Sequence, residues 1–153
     1  MSKRVSSAGT NSPFDILLVE DNHGDVRLLR EAMRRVEFDQ KIRVVTDGRE
    51  ALDFVHQRGE YTDAPPPDLI LLDLNLPQVN GIDVLCELDD DVDLSCIPVI
   101  ILTSSQADED IRQAYECGAN AYLTKPVDPD EFIELVQSLR DFWLQSVELP
   151  VMN

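Results

Sequence analysis

The chain alternates short apolar runs with stretches in which apolar residues recur every three or four positions. Ile16-Leu17-Leu18-Val19 is the first run, and it ends in Glu20-Asp21. Behind it Val26, Leu29, Met33 and Val36 keep the spacing of one buried helical face. Ile42 to Val45 reads as a second strand, and Asp47-Gly48 turns the chain into a helix carrying Ala51, Leu52 and Val55. Residues 59–67, with three consecutive prolines, predict a longer stiff loop. Leu69 to Leu72 is the third strand, followed by a helix from about Ile82 to Leu88. Pro98 opens the fourth strand, Val99 to Leu102, at a strand start where proline is tolerated. A helix from about Asp108 to Cys117 closes at Gly118, a residue suited to the end of a helix. Ala121-Tyr122-Leu123 is the fifth strand. The last helix starts near Asp128-Pro129, with Phe132, Leu135, Val136, Leu139 and Trp143 on its inner face.

Strands and helices alternating at this spacing predict parallel βαβ units with right-handed crossovers. Near-continuous apolar strands predict a sheet covered on both faces. The expected fold class is therefore α/β, a five-stranded parallel doubly wound sheet flanked by five helices. At 153 residues one domain is expected, over residues 14–145. A polar, disordered lead (1–13) precedes it and a short tail (146–153) follows, with no repeat and no second domain.

Composition sharpens this in three ways. The N-terminus has no apolar core of a secretory signal, and no run approaches the roughly 20 apolar residues that cross a bilayer, so a cytoplasmic protein is expected. The net charge is −17, from 30 acidic and 13 basic residues, which argues against nucleic acid or an anionic membrane as partner. Lysine is scarce and acids crowd runs such as Asp89-Asp90-Asp91, the style of a surface adapted to a salt-rich cytoplasm. Cys86, Cys96 and Cys117 are odd in number and lack C-x-x-C spacing, so idle thiols are expected rather than a disulfide or a metal site.

The chemistry gathers behind the strands. In an open α/β sheet the binding crevice lies beyond the carboxyl ends of the strands. Glu20 and Asp21 follow strand one, Asp73 strand three, Thr103 and Ser104 strand four, Thr124 and Lys125 strand five. A lone Asp73 would be a turn residue more often than not, and Lys125 alone a solvated lysine. Together they predict three carboxylates, a hydroxyl and an ammonium at one edge. Clustered carboxylates with open positions for water suit Mg²⁺. An ammonium and a hydroxyl can hold phosphoryl oxygens, and a carboxylate can attack phosphorus. The set fits phosphoryl transfer to Asp73. His23 and His56 read as surface residues.

Val19-Glu20-Asp21-Asn22, Leu72-Asp73-Leu74-Asn75-Leu76-Pro77 with Gly81, Ile101-Leu102-Thr103-Ser104 and Tyr122-Leu123-Thr124-Lys125-Pro126 resemble the receiver domains of two-component response regulators, over about Phe14 to Gln145. The stretch from Glu20 to Leu28 and the proline-rich loop further resemble the stand-alone regulators that pair with phytochrome-type sensor kinases. The resemblance implies the flavodoxin-like strand order 2-1-3-4-5 and a signalling protein rather than an enzyme, whose only chemistry is its own Mg²⁺-dependent phosphorylation and dephosphorylation. It makes Asp73 the phosphoacceptor, Asp21 a direct Mg²⁺ ligand, Glu20 a ligand through water, and the Asn75 backbone carbonyl a further ligand beside Asp73. Thr103 becomes the switch hydroxyl, Lys125 the phosphate clamp and Tyr122 the switch aromatic, with Lys125–Pro126 a candidate cis bond. The implied partners are a sensor histidine kinase and a downstream protein, with a possible homodimer through the fourth helix, fifth strand and last helix. An aspartyl-phosphate phosphatase would want an acid where Asn75 stands. A flavin carrier would not place Glu20-Asp21 against a phosphate, and a receiver without phosphorylation would not need the full set.

Overall fold

Leu69-Ile70-Leu71-Leu72 is buried at every position, as a strand inside a parallel sheet must be. The computed structural model describes residues 14–37 and 39–152, with side chains as far as residue 142. The expected disordered lead, 1–13, lies outside the described residues. The elements are β1 (Phe14–Val19), α1 (His23–Arg35), β2 (Gln40–Val45), α2 (Gly48–Val55), a 3-10 turn (Gly59–Tyr61), β3 (Leu69–Leu72), α3 (Gly81–Asp90), β4 (Val99–Thr103), α4 (Asp108–Glu116), β5 (Ala121–Thr124) and α5 (Pro129–Met152). The strand order is β2-β1-β3-β4-β5, the expected doubly wound order. Along one row, Val19 pairs with Leu72, Leu72 with Ile101 and Ile101 with Tyr122.

Two compact units divide the chain. One holds Asp15–Val26 and Ile42–Lys125, the other Arg27–Lys41 and the residues from Pro126 onward. In the first, Leu17, Val19, Ile70, Leu72 and Ile101 share a core with Ala51, Phe54 and Val55 of α2, Val84, Leu85 and Leu88 of α3 and Ala114 of α4. Two helix starts in it are fixed by side chains: Asp47 accepts from the Glu50 N–H (2.7 Å) and Asn80 from the Asp83 N–H (3.0 Å). The proline-rich loop is pinned to α2: the Tyr61 hydroxyl donates to Glu50 Oε2 (2.9 Å), and Glu50 Oε1 accepts from the Thr46 N–H (2.9 Å). In the second unit Leu29, Ala32, Met33 and Val36 are buried, as are Phe132, Val136 and Leu139. Val26 and Leu135, expected on inner faces, are half-buried.

Two expectations are corrected. Cys86 and Cys117 form a disulfide, with their Cα atoms 4.9 Å apart. The sequence separation of 31 hid it, because the pairing depends on α3 and α4 lying side by side. Cys96 is free and exposed. No peptide bond among the described residues is cis, so Lys125–Pro126 is trans. The last helix runs to Met152. Phe142 is half-buried, and the side chains of Trp143, Val147, Leu149 and Val151 lie outside the described residues.

Candidate functional site

Three parallel strands deliver three groups to one place. Asp73 leaves β3 with its N–H still bonded to the Val19 carbonyl (3.1 Å), so it stands beside Glu20. Thr103 closes β4, and its carbonyl accepts from the Lys125 N–H (2.8 Å), which brings the chain after β5 alongside. Glu20, Asp73 and Thr103 are the buried polar residues among those described. A core that buries two carboxylates side by side has to compensate them.

Part of the compensation is Lys125. Its ammonium donates to Glu20 Oε1 at 2.8 Å, Asp25 Oδ2 at 2.8 Å and Asp73 Oδ2 at 3.1 Å. Burial alone would lower the Lys125 pKa; the hydrogen bonds to Asp25 and Glu20, and the charges of Glu20 and Asp73, outweigh it and hold it above the ordinary lysine value. Burial pushes the Glu20 carboxyl up to about 7, and the neighbouring Asp73 charge adds to this against the Lys125 hydrogen bond. One ammonium does not balance the site.

Exposed Asp21 adds a further carboxylate, and oxygens of Glu20, Asp21 and Asp73 lie within 4.8 Å of one another. An all-oxygen set with one side open to solvent fits a hard divalent cation. Asn75 is exposed, and its N–H donates to Asp73 Oδ1 at 3.3 Å. The Thr103 hydroxyl is fully buried and has no hydrogen-bond partner. Tyr122 is half-buried in β5, and its hydroxyl donates to the Ser105 carbonyl (2.9 Å), two residues beyond Thr103. Burial raises the Tyr122 pKa.

The loop from Asp73 to Gly81 is held by close backbone approach. A Cβ on Gly81 would fall 2.3 Å from the Asp73 carbonyl oxygen, and one on Gly48 1.8 Å from the Val79 carbonyl oxygen. The glycine N–H groups use this closeness, Gly81 donating to the Leu74 carbonyl (2.9 Å) and Gly48 to the Pro77 carbonyl (3.3 Å).

The sequence-derived set is therefore brought together: Glu20, Asp21 and Asp73 in mutual reach, Lys125 on Glu20 and Asp73, Asn75 against Asp73, Thr103 on the neighbouring strand. His23 is exposed, and His56 pairs with Glu87 at 3.2 Å, away from the set. Asp25 was missed. The available signal was an acid in the first turn of the helix that follows strand one, where a helix start faces the crevice. Asn22 shapes that start: its N–H donates to Glu20 Oε2 (3.1 Å) and its side chain accepts from the Asp25 N–H (3.0 Å).

Comparison with known proteins agrees with this geometry. The profile of the response regulator receiver domain matches residues 16–137. Response regulator Rcp1 of Synechocystis sp. is 43% identical over 141 residues, covering 92% of this chain and 96% of Rcp1. The probable methanogenesis regulatory protein FilR2 of Methanothrix harundinacea is 39% identical over 134 residues, covering 86% of this chain and 84% of FilR2. Among solved structures, the phosphorylated cyanobacterial phytochrome response regulator RcpA superposes with a TM-score of 0.83 at 40% identity, over 88% of this chain and 96% of that one. The Mn²⁺-bound form of Rcp1 gives 0.80 at 42% identity, over 86% and 95%. With its strand order, its carboxylate cluster and this match over most of its length, the chain belongs to the response regulator receiver domain family.

Proposed function

We propose that Asp73 accepts a phosphoryl group from a sensor histidine kinase, and that the phosphorylated chain signals by a protein contact. Receiver domains are signalling proteins that histidine kinases phosphorylate, and they bind divalent metal. The observation that carries the residue assignment is the buried Thr103 hydroxyl with no partner, beside an acceptor that Lys125 already holds at 3.1 Å. A buried donor left unsatisfied is expensive, so such a group marks a place that another molecule completes.

The chemistry follows from the positions. An Asp73 oxygen bonds to phosphorus as the phosphorus–nitrogen bond of the kinase phosphohistidine breaks, and the imidazole leaves with the electron pair. Lys125 exchanges Asp73 Oδ2 for a phosphoryl oxygen, and Thr103 donates to another. Mg²⁺ held by Asp21, Asp73 and the Asn75 backbone carbonyl, with Glu20 reaching it through water, would neutralise charge on the transferred group. Thr103 moving toward the phosphoryl oxygen opens room beside β4, into which the Tyr122 ring turns. Tyr122 is then a two-state element biased by one local charge. The proposed contact for a downstream protein or a second copy is on α4 and β5, beside Tyr122. Because RcpA is described as a phytochrome response regulator, kinases of the phytochrome type are the first donors to try.

The test is phosphorylation by a small phosphodonor with Mg²⁺, read by intact mass. One phosphoryl group is expected on the native protein and none on Asp73→Asn. Equal labelling of that variant overturns the assignment.

A further inference from the structure

Lys125 holds more carboxylates than the phosphoryl chemistry uses. Its ammonium has three N–H donors, and each finds a different partner: Glu20, Asp73 and Asp25. The first two belong to the cluster whose oxygens lie within 4.8 Å and fit a cation. Asp25 does not belong to that cluster. It sits in the first turn of α1, with 26% of its side chain exposed, yet its 2.8 Å contact is as short as that of buried Glu20.

The arrangement poses a charge-exchange problem. When Glu20 and Asp73 turn toward a divalent cation, Lys125 loses two acceptors and gains a doubly positive neighbour. The ammonium of a lysine whose side chain is only 9% exposed cannot simply rehydrate where it stands. Asp25 is the one acceptor among the three that stays available. We propose that Asp25 is a positioning residue, a counter-ion that keeps Lys125 at the rim of the site while the cation and the phosphoryl group take over Glu20 and Asp73. This rests on the reading of Asp73 as acceptor, and it adds a carboxylate to that site whose effect runs through Lys125.

Without Asp25, Lys125 is left with Glu20 and Asp73 as its only anions. It then competes with the cation for both. Asp25→Asn should weaken Mg²⁺ binding, and a carboxylate restored one methylene farther out, Asp25→Glu, should recover part of it. A second explanation would give the same loss: any acid near a cation attracts it through space, with no part for Lys125. The two differ when Lys125 is absent.

The experiment is a double-mutant cycle on the full chain, with Mg²⁺ alone as the probe and calorimetric titration as the readout. Asp25→Asn is expected to weaken Mg²⁺ about 5-fold in the native background, which corresponds to about 1 kcal/mol. In the Lys125→Met background the same change is expected to alter affinity less than about 2-fold, since there is no ammonium left to hold. Equal loss in both backgrounds, or no loss in either, overturns the role of Asp25 and leaves Asp73 as acceptor untouched. A native chain that binds no Mg²⁺ overturns both readings.

Discussion

Two carboxylates in this molecule each hold several polar partners, and their environments push them in opposite directions. Glu50 accepts from the Thr46 N–H and hydroxyl and from the Tyr61 hydroxyl. The Thr46 N–H is the largest influence, and together with Tyr61 it holds the Glu50 carboxyl below its usual value against partial burial. Glu20 is 2% exposed and shares one ammonium with Asp73, and burial lifts it to about 7. The first network is complete within the chain and serves to pin a loop. The second is short of positive charge and of a partner for Thr103. A polar cluster the fold leaves incomplete is where to look for chemistry.

That contrast can be broken first at Lys125. Lys125→Met removes the ammonium from two buried carboxylates, and in chelator it should lower unfolding stability by about 3 kcal/mol. Urea unfolding with added Mg²⁺ should recover a substantial part of that loss; no recovery would place the missing charge elsewhere.

The next test uses pH. Glu20 has a folded value above its unfolded one, so the folded state binds more protons between about pH 4.5 and 7. Its contribution is fully present below that window and is lost as pH rises through it. In chelator, stability should therefore fall by about 2–3 kcal/mol from pH 5 to 7.5, the free-energy equivalent of about two pKa units. Glu20→Gln should flatten the slope. Glu50, whose folded value is lowered, has the opposite sign: its contribution is present above its unfolded value and lost as pH falls below it.

The smallest effect is expected at the pinned loop. Tyr61→Phe removes one hydrogen bond to Glu50 and should lower stability by about 1 kcal/mol. The loss should be the same with and without Mg²⁺, and phosphorylation of Asp73 should be unaffected. A cation-dependent loss would merge the two regions into one network.

The part of this molecule that sequence discloses is the part tied to strand ends. Asp73 follows four consecutive apolar residues, and Glu20, Thr103 and Lys125 close or follow their own strands, so the crevice beyond the strand ends determines where they meet. Asp25 escapes because it enters through a helix turn, and its partner Lys125 is 100 residues away. The Cys86–Cys117 bond escapes for a related reason: that the end of α4 comes to rest against α3 is decided by packing, and cysteine count and spacing carry none of it. Gly48, read from sequence as a turn residue, is also the point where the start of α2 meets the loop behind Asp73.

That last contact sets which parts of the chain can change length. Between Asp73 and Gly81 the backbone is pressed against itself and against the start of α2, with no space for even a methyl group at either glycine. The segment behaves as a gauge block: one residue inserted or removed would shift Asn75 against Asp73, so its length is a fixed dimension of the machine. The loop from Gly59 to Pro67 is fastened mainly by side chains, at Tyr61 to Glu50 and at the Ala64 carbonyl to Gln57. Anyone grafting a reporter or a new recognition loop onto this scaffold would cut there.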